Sequence, residues 1–263
     1  MTLQTILIDL DNRGVATVSL NRPDVRNALN PLLIAELTNT ITKLGQSDEI
    51  RVIVLKGEGK IFCAGADLAY MKDITTFGYD DNVKDALALG NLFATLDTCP
   101  KPTISVVQGG AYGGGVGLVA TTDISIATSD SKFCLSEVRL GIIPGVISPY
   151  ILKAIGQRHA RKLALTAELI DSKAALACDL IHTISDSPHV TLDETLAMIL
   201  QGSPAAQTAT KELFRTINAR PIDQDLQSLT ANAIATARAT PDGQEGLKAF
   251  LEKRQPNWIK KHD

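Results

Sequence analysis

Thr103-Ile104-Ser105-Val106-Val107-Gln108-Gly109-Gly110-Ala111-Tyr112-Gly113-Gly114-Gly115 joins an apolar, β-branched run directly to a cluster of glycines, and a further apolar run follows near 116–121. This reads as a buried strand, a loop whose backbone can be approached closely, and a helix. The succession has a counterpart upstream. Ile50-Arg51-Val52-Ile53-Val54-Leu55 has too many apolar residues for an exposed edge and is read as buried on both faces. Gly57-Glu58-Gly59-Lys60-Ile61-Phe62-Cys63-Ala64-Gly65-Ala66-Asp67-Leu68 comes directly after it. Small residues at 63–66 leave backbone N–H groups approachable, and Asp67 is placed to start a helix through Tyr70 and Met71.

Working outward, 5–10 and 15–20 alternate around Asp11-Asn12-Arg13-Gly14 as a β-hairpin. Asn30-Pro31 opens a helix to about Leu44, with Gly45 just past its end. A helix over about 81–96 and short strands at 124–127 and 132–135 continue the alternation. Strand, loop and helix succeed one another to about residue 190, the pattern of an α/β protein with much parallel sheet. Beyond Thr191 the segments 192–201, 204–217, 223–238 and 242–253 all read as helices. The expected division is a core over 1–190 and a helical region over 191–263 that packs on the core or on a neighbouring chain.

Composition narrows the function. The 263 residues are 44% hydrophobic with a net charge of -3, so a sizeable core is expected and disorder is not. Near-neutral charge and only 4% aromatic residues argue against nucleic acid as a partner. Cys63, Cys99, Cys134 and Cys178 stand far apart, with no C-x-x-C pair and no histidine at ligand spacing. They are read as buried thiols in a reducing compartment, and no metal site is expected. The N-terminal stretch lacks the pattern of a signal peptide, and nothing approaches the ~20 apolar residues of a membrane span. A cytoplasmic globular protein is expected. The segment 247–263 holds five Lys or Arg against two Asp or Glu, which suits a phosphate-bearing ligand or a solvated helix end.

Glycine-rich loops after strands are natural sites for negative charge, held by backbone N–H groups; tight packing is the plainer explanation for either loop alone. The nucleotide pattern G-x-x-x-x-G-K-[ST] is absent, and G-x-G-x-x-G fails where Leu118 stands. His159, His182, His189 and His262 have no partnered nucleophile motif, and G-x-S-x-G is absent. Trp258 is expected to pack against the helical tail. In Ser136-Glu137-Val138-Arg139-Leu140-Gly141-Ile142-Ile143-Pro144-Gly145, Glu137 is either a surface carboxylate or, beside apolar walls, an acid or base of raised pKa.

Together these segments resemble the crotonase, or enoyl-CoA hydratase/isomerase, superfamily. The resemblance rests on Leu20-Asn21-Arg22-Pro23 with Asn27-Ala28-Leu29-Asn30, Phe62-Cys63-Ala64-Gly65-Ala66-Asp67-Leu68, and Gly110-Ala111-Tyr112-Gly113-Gly114-Gly115. Ser136 to Pro144 and Glu245-Gly246-Leu247-Lys248-Ala249-Phe250-Leu251-Glu252-Lys253-Arg254 complete it. It implies a spiral of ββα units with a C-terminal helical trimerisation region, a homotrimer or dimer of trimers, and an acyl-CoA thioester substrate. No cofactor is implied beyond the coenzyme A of that substrate. The backbone N–H groups of Ala66 and Gly114 would form an oxyanion hole, with Gly113 in the same binding loop. Ala64, Asp67 and Leu68 lie in the segment whose backbone meets adenine in this family. Arg26 stands where a basic residue meets the nucleotide phosphates, and Phe250 and Lys253 would reach coenzyme A from the neighbouring subunit.

The resemblance also carries a departure. Short-chain hydratases have two glutamates, and here their positions are Gly117 and Glu137. Members with a single glutamate at the second position include Δ3,Δ2-enoyl-CoA isomerases. The run Phe133 to Pro144, with Val146-Ile147-Ser148-Pro149-Tyr150-Ile151 and Lys153-Ala154-Ile155-Gly156, looks like bacterial 3-methylglutaconyl-CoA hydratases. Hydration of a branched, carboxylated enoyl-CoA, as in leucine degradation, is therefore the first expectation. Isomerisation comes second, ahead of decarboxylation or a non-catalytic CoA-binding role.

Overall fold

The hairpin read at the N-terminus is the edge of a six-stranded sheet. Its strands β1 (Ile6–Leu10) and β2 (Val15–Leu20) pair antiparallel. The computed structural model describes residues 3–259; His262 and the basic residues Lys260 and Lys261 lie outside the described residues. Helix α1 (Pro31–Gln46) starts as expected, with Pro31 in its first turn and the Asn30 side chain accepting from Leu33 N–H. It does not stop at Gly45. That residue sits in the last turn against Pro100 and Cys99, where the close approach, not a helix end, requires its small size.

The chain then winds as a spiral. Strand β3 (Val52–Gly57) is followed by α2 (Leu68–Ile74) and α3 (Tyr79–Asp97). Next come β4 (Thr103–Val107), β5 (Gly110–Tyr112) and α4 (Gly114–Ala120). Strands β6 (Ile124–Ala127) and β7 (Lys132–Cys134) lead to α5 (Ser148–Thr166). Short β8 (Ile170–Asp171), α6 (Ser172–Ala177) and β9 (Thr183–Ile184) close the winding. The main sheet runs β1-β2-β3-β4-β6-β9, parallel from β2 onward. A second layer is built from β5-β7-β8, extended by a bridge from Cys63 to Ala111. Successive turns thus give one strand to each layer before a helix, which is the ββα spiral expected.

Two elements go beyond the sequence expectations. Gly110–Tyr112, inside the glycine cluster, is a strand because Ala111 pairs with Phe133 on one side and Cys63 on the other. Helix α5 carries a break at Gly156, whose φ of 69° and ψ of 162° are non-helical.

Alternation places the core. Ile53 and Leu55 of β3 face α1 and α3, while Val52 and Val54 face the opposite side of the sheet. On α1, Leu33, Leu37 and Ile41 recur at helical spacing and are buried. Phe62, Phe93 and Phe133 are fully buried in the same cluster, each stabilising the fold by roughly 1.5–3 kcal/mol. The outer face is covered by α7 (Pro188–Gln201), whose Leu196 packs on Val15, Val52, Val54, Ile104 and Ile126.

Helices α8 (Pro204–Ile217), α9 (Gln224–Ala239) and α10 (Pro241–Leu251) follow and pack chiefly on one another. Trp258 packs on this tail as expected: its ring lies against Gly246 and its indole N–H donates to Gln201 O at 3.0 Å. All four cysteines are buried and unbonded. Among the described residues, no helix is long and apolar enough to cross a membrane.

Candidate active site

The two loops singled out in the sequence meet through backbone bonds. Cys63 N–H donates to Gly110 O at 3.3 Å, and Tyr112 N–H donates to Cys63 O at 3.0 Å. Both loops leave parallel strands on the same side, since β3 and β4 are neighbours. Placement of the first loop comes from the segment 21–30. Asn27, fully buried, donates from Nδ2 to Glu58 O at 2.9 Å and Ile61 O at 2.8 Å. Leu29 N–H donates to Gly65 O at 2.7 Å, and Asp67 N–H to Leu29 O at 3.0 Å.

That pairing decides which amide is free. Ala66 lies between the two bonded residues, so its own N–H points to the other edge. It donates to no other described residue, and Ala66 is exposed. Gly114 is the first residue of α4, where no helical acceptor exists, and its N–H is likewise unengaged among the described residues. Leu29 links the two positions: it bridges Ala66 in the ladder and its Cδ1 lies against Gly114. Two N–H groups without an acceptor among the described residues, those of Ala66 and Gly114, thus stand on adjoining loops.

Glu137 comes to the same place. It opens a one-turn helix, Glu137–Leu140, after β7, and Cys134 O accepts from Gly113 N–H at 2.9 Å. Its Oε1 lies 3.1 Å from where a Cβ on Gly113 would stand. Gly113 also has φ of 47° and ψ of -117°, a conformation costly to any other residue. Glu137 is half-buried, and its Oε2 is buried without a hydrogen-bond partner among the described residues. Burial raises its carboxyl above the ordinary value of 4.5. Of the alternatives open from sequence, a freely solvated surface carboxylate does not match this half-buried group with a buried oxygen.

Apolar side chains close the position of Gly117. A Cβ there would stand 2.5 Å from Ile147 Cγ2 and 2.9 Å from two Phe93 ring atoms. Both side chains are buried, and Phe93 also packs on Tyr150 with ring centroids 6.0 Å apart. Space for a second carboxylate at this position is thus filled with hydrocarbon.

The expected coenzyme A contacts divide into three groups. Ala64, Leu68 and Arg26 cluster at the rim: Ala64 N–H donates to Arg26 O at 2.9 Å, and both Leu68 and Arg26 are exposed. The Arg26 side chain makes no ion pair with another described residue. The Asp67 side chain is engaged within the chain, which leaves only the backbone of this residue for the expected ligand contact. It is buried, its Oδ1 accepts from Ala69 and Tyr70 N–H at 2.8 and 3.2 Å, and its Oδ2 pairs with Arg22 at 2.7 Å. Burial would raise this carboxyl, but Arg22 and the two amides outweigh it and hold it below the ordinary value. Phe250 and Lys253 are exposed at the end of α10 and are not packed on the site within the chain.

Arg22, Asn27 and Leu29 stand in the sequence motifs without an assigned role, and Phe93 stands outside them. The Asn-Arg-Pro run ahead of Asn27 was the available signal for the first three. Nothing local marks Phe93 or Ile147, since both act through contact with Gly117.

This architecture is shared. The enoyl-CoA hydratase/isomerase family model matches residues 11–261. An enoyl-CoA hydratase of known structure from Shewanella pealeana is 40% identical with a TM-score of 0.95, covering 97% of this chain and 96% of its own. Pseudomonas aeruginosa AtuE is 33% identical with a TM-score of 0.93, covering 98% of this chain and 100% of its own. The crotonyl-CoA hydratase of Syntrophomonas wolfei is 32% identical over 99% of this chain and all of its own length, 100%. Fold and sequence agree along nearly the whole length, and the chain belongs to the enoyl-CoA hydratase/isomerase family.

Proposed function

We propose that the chain adds water across the Cα=Cβ bond of a branched, carboxylated enoyl-CoA such as 3-methylglutaconyl-CoA. The observation that carries the reading is Glu137, a half-buried carboxylate with an unpartnered oxygen, facing the loop that presents the Gly114 amide. The thioester oxygen docks between the Ala66 and Gly114 N–H groups. Charge that gathers on it as the enolate forms is stabilised there, each such donor being worth about 2.7–4 kcal/mol of barrier. Glu137 takes a proton from water as oxygen bonds to Cβ, then returns a proton to Cα. A β-carbon bearing two carbon substituents tolerates positive charge in the reverse direction, which lessens the need for a second carboxylate where Ile147 and Phe93 stand.

No cofactor enters this scheme, because coenzyme A is part of the substrate. The assembly we propose is a trimer or a dimer of trimers, with Phe250 and Lys253 of one chain completing the coenzyme A site of the next.

The same lone carboxylate also suits a second reading. A single base can take a proton from one carbon of a 3-enoyl-CoA and return it at another. Assaying 3-methylglutaconyl-CoA, crotonyl-CoA and a 3-enoyl-CoA for water addition, double-bond migration and CO2 release separates these readings. The expected result is water addition, with kcat/KM for the branched substrate at least about tenfold above that for crotonyl-CoA, the scale set by one or two specific contacts. A preference for crotonyl-CoA overturns the named substrate. Migration without hydration replaces the first reading with the second.

A further inference from the structure

We infer that Arg22 is a positioning residue for the Ala66 amide, acting as a clamp across the two backbone segments that aim it. The inference rests on the proposed docking of a thioester oxygen at that amide. Its evidence is the geometry on the far side of the loop. Arg22 Nη1 donates to Ala28 O, and Nη2 donates to Asp67 Oδ2 at 2.7 Å. One planar guanidinium therefore joins the segment 28–29 to the segment 66–67, spanning the bridge between Leu29 and Ala66.

The clamp is itself fixed. Arg22 N–H donates to Asn27 Oδ1 at 2.9 Å, and Asn27 N–H returns a bond to Arg22 O at 2.9 Å. The paired side chains are 19% and 6% exposed, so water competes weakly for them. Asp67 uses its other oxygen on Ala69 and Tyr70 N–H, which ties the first turn of α2 to the same point. Ala66 is the residue immediately before Asp67, and its N–H direction follows from the peptide planes on either side. Such an arrangement needs two donors in a fixed fork. Arginine supplies them; lysine, a single compact charge, does not.

A purely structural ion pair would affect every ligand alike. A clamp on the Ala66 amide would affect ligands that carry a carbonyl oxygen. The experiment compares wild type, Arg22→Lys and Asp67→Asn as full chains. It measures dissociation constants for butanoyl-CoA and for the matching S-butyl-CoA thioether, which lacks the oxygen, together with kcat and KM for whichever enoyl-CoA the wild type hydrates. Asp67→Asn retains an oxygen to cap α2 while removing the charge that faces Arg22.

The expected result is that wild type prefers the thioester. Both variants lose most of that preference and about ten- to a hundredfold in kcat, below the 10²–10³ of deleting a donor outright. Their affinity for the thioether stays within about twofold, as expected for side chains whose hydrogen bonds are made within the chain. Variants that keep the wild-type preference and kcat overturn the clamp while leaving the thioester reading intact. Equal weakening for both ligands also overturns it, in favour of a structural pair. A wild type with no preference overturns the docking of the oxygen at Ala66, and the clamp with it. Should Arg22→Lys not fold, Asp67→Asn decides by the same criteria.

Discussion

Glu137 must be ionised to accept a proton, yet its surroundings favour the neutral acid. Burial raises its pKa above 4.5, so the acid limb of kcat/KM should fall above that value, activity declining as pH drops through it. Glu137→Gln should lower kcat by about 10²–10⁴, the usual contribution of a positioned acid or base, as measured by spectrophotometric hydration assay. The same variant should be more stable than wild type at neutral pH. Below the ordinary value of 4.5 the carboxyl is protonated whether the chain is folded or not, so burial costs nothing there. As pH rises, the unfolded chain ionises first, and the penalty on the folded state reaches its full size above the raised value. The gain in Tm from Glu137→Gln should therefore shrink as pH falls toward the ordinary value. A gain that grows on acidification would contradict the burial argument. At this scale the sequence was informative about identity but not state. Glu137, Ala66 and Gly114 could be named from their motifs, whereas the unpartnered Oε2 depends on segments far apart in the chain. Asp67 shows the converse, since its capping position was readable while its pairing with Arg22, 45 residues away, was not.

Packing between elements explains why the site holds one carboxylate. Helix α4 passes so close to Phe93 of α3 and to Ile147, just before α5, that residue 117 has no room for a Cβ. Gly117→Ala should destabilise the fold by about 1–3 kcal/mol, the usual cost of overpacking a core. Ile147→Ala removes the Cγ2 methyl group that would stand 2.5 Å from that Cβ. The double variant should be more stable than the sum of the two single effects requires, because the residues share one contact. Urea unfolding midpoints of the four chains test this, and strict additivity would show that the contact is compliant. Gly117→Glu alone should lower stability and leave hydration no faster. Element-level structure was largely legible where periodicity is strong: β1 to β4 and α8 to α10 stand close to their expected places. It was least legible where a neighbour decides the outcome. Gly110–Tyr112 becomes a strand because Cys63 and Phe133 flank it, and the end of α1 is set by Ser47 and not by Gly45.

Across the described residues, the helical region leaves large apolar side chains exposed. Phe250 and Ile222 are 82% and 87% exposed, and Phe214 and Leu251 are exposed as well. Large exposed apolar side chains in this number suit the association proposed above. Phe250 and Lys253 are among the exposed residues of this region, which connects the proposed association to the coenzyme A site proposed for a neighbouring chain. Sedimentation should therefore find a trimer or a dimer of trimers. A Phe250→Ala, Lys253→Ala variant should show KM raised about tenfold or more with kcat little changed, the pattern of lost uniform binding. Complementation makes the argument specific. Coexpressed with the Glu137→Gln chain, which lacks the base but keeps an intact α10, the α10 variant should regain sites of near wild-type KM. In those sites the working Glu137 and the intact Phe250 and Lys253 come from different chains. If these residues served the site of their own chain, every site with a working base would still carry the altered α10. Mixed assemblies would then retain the raised KM, and the proposed completion of the site by a neighbour would fail.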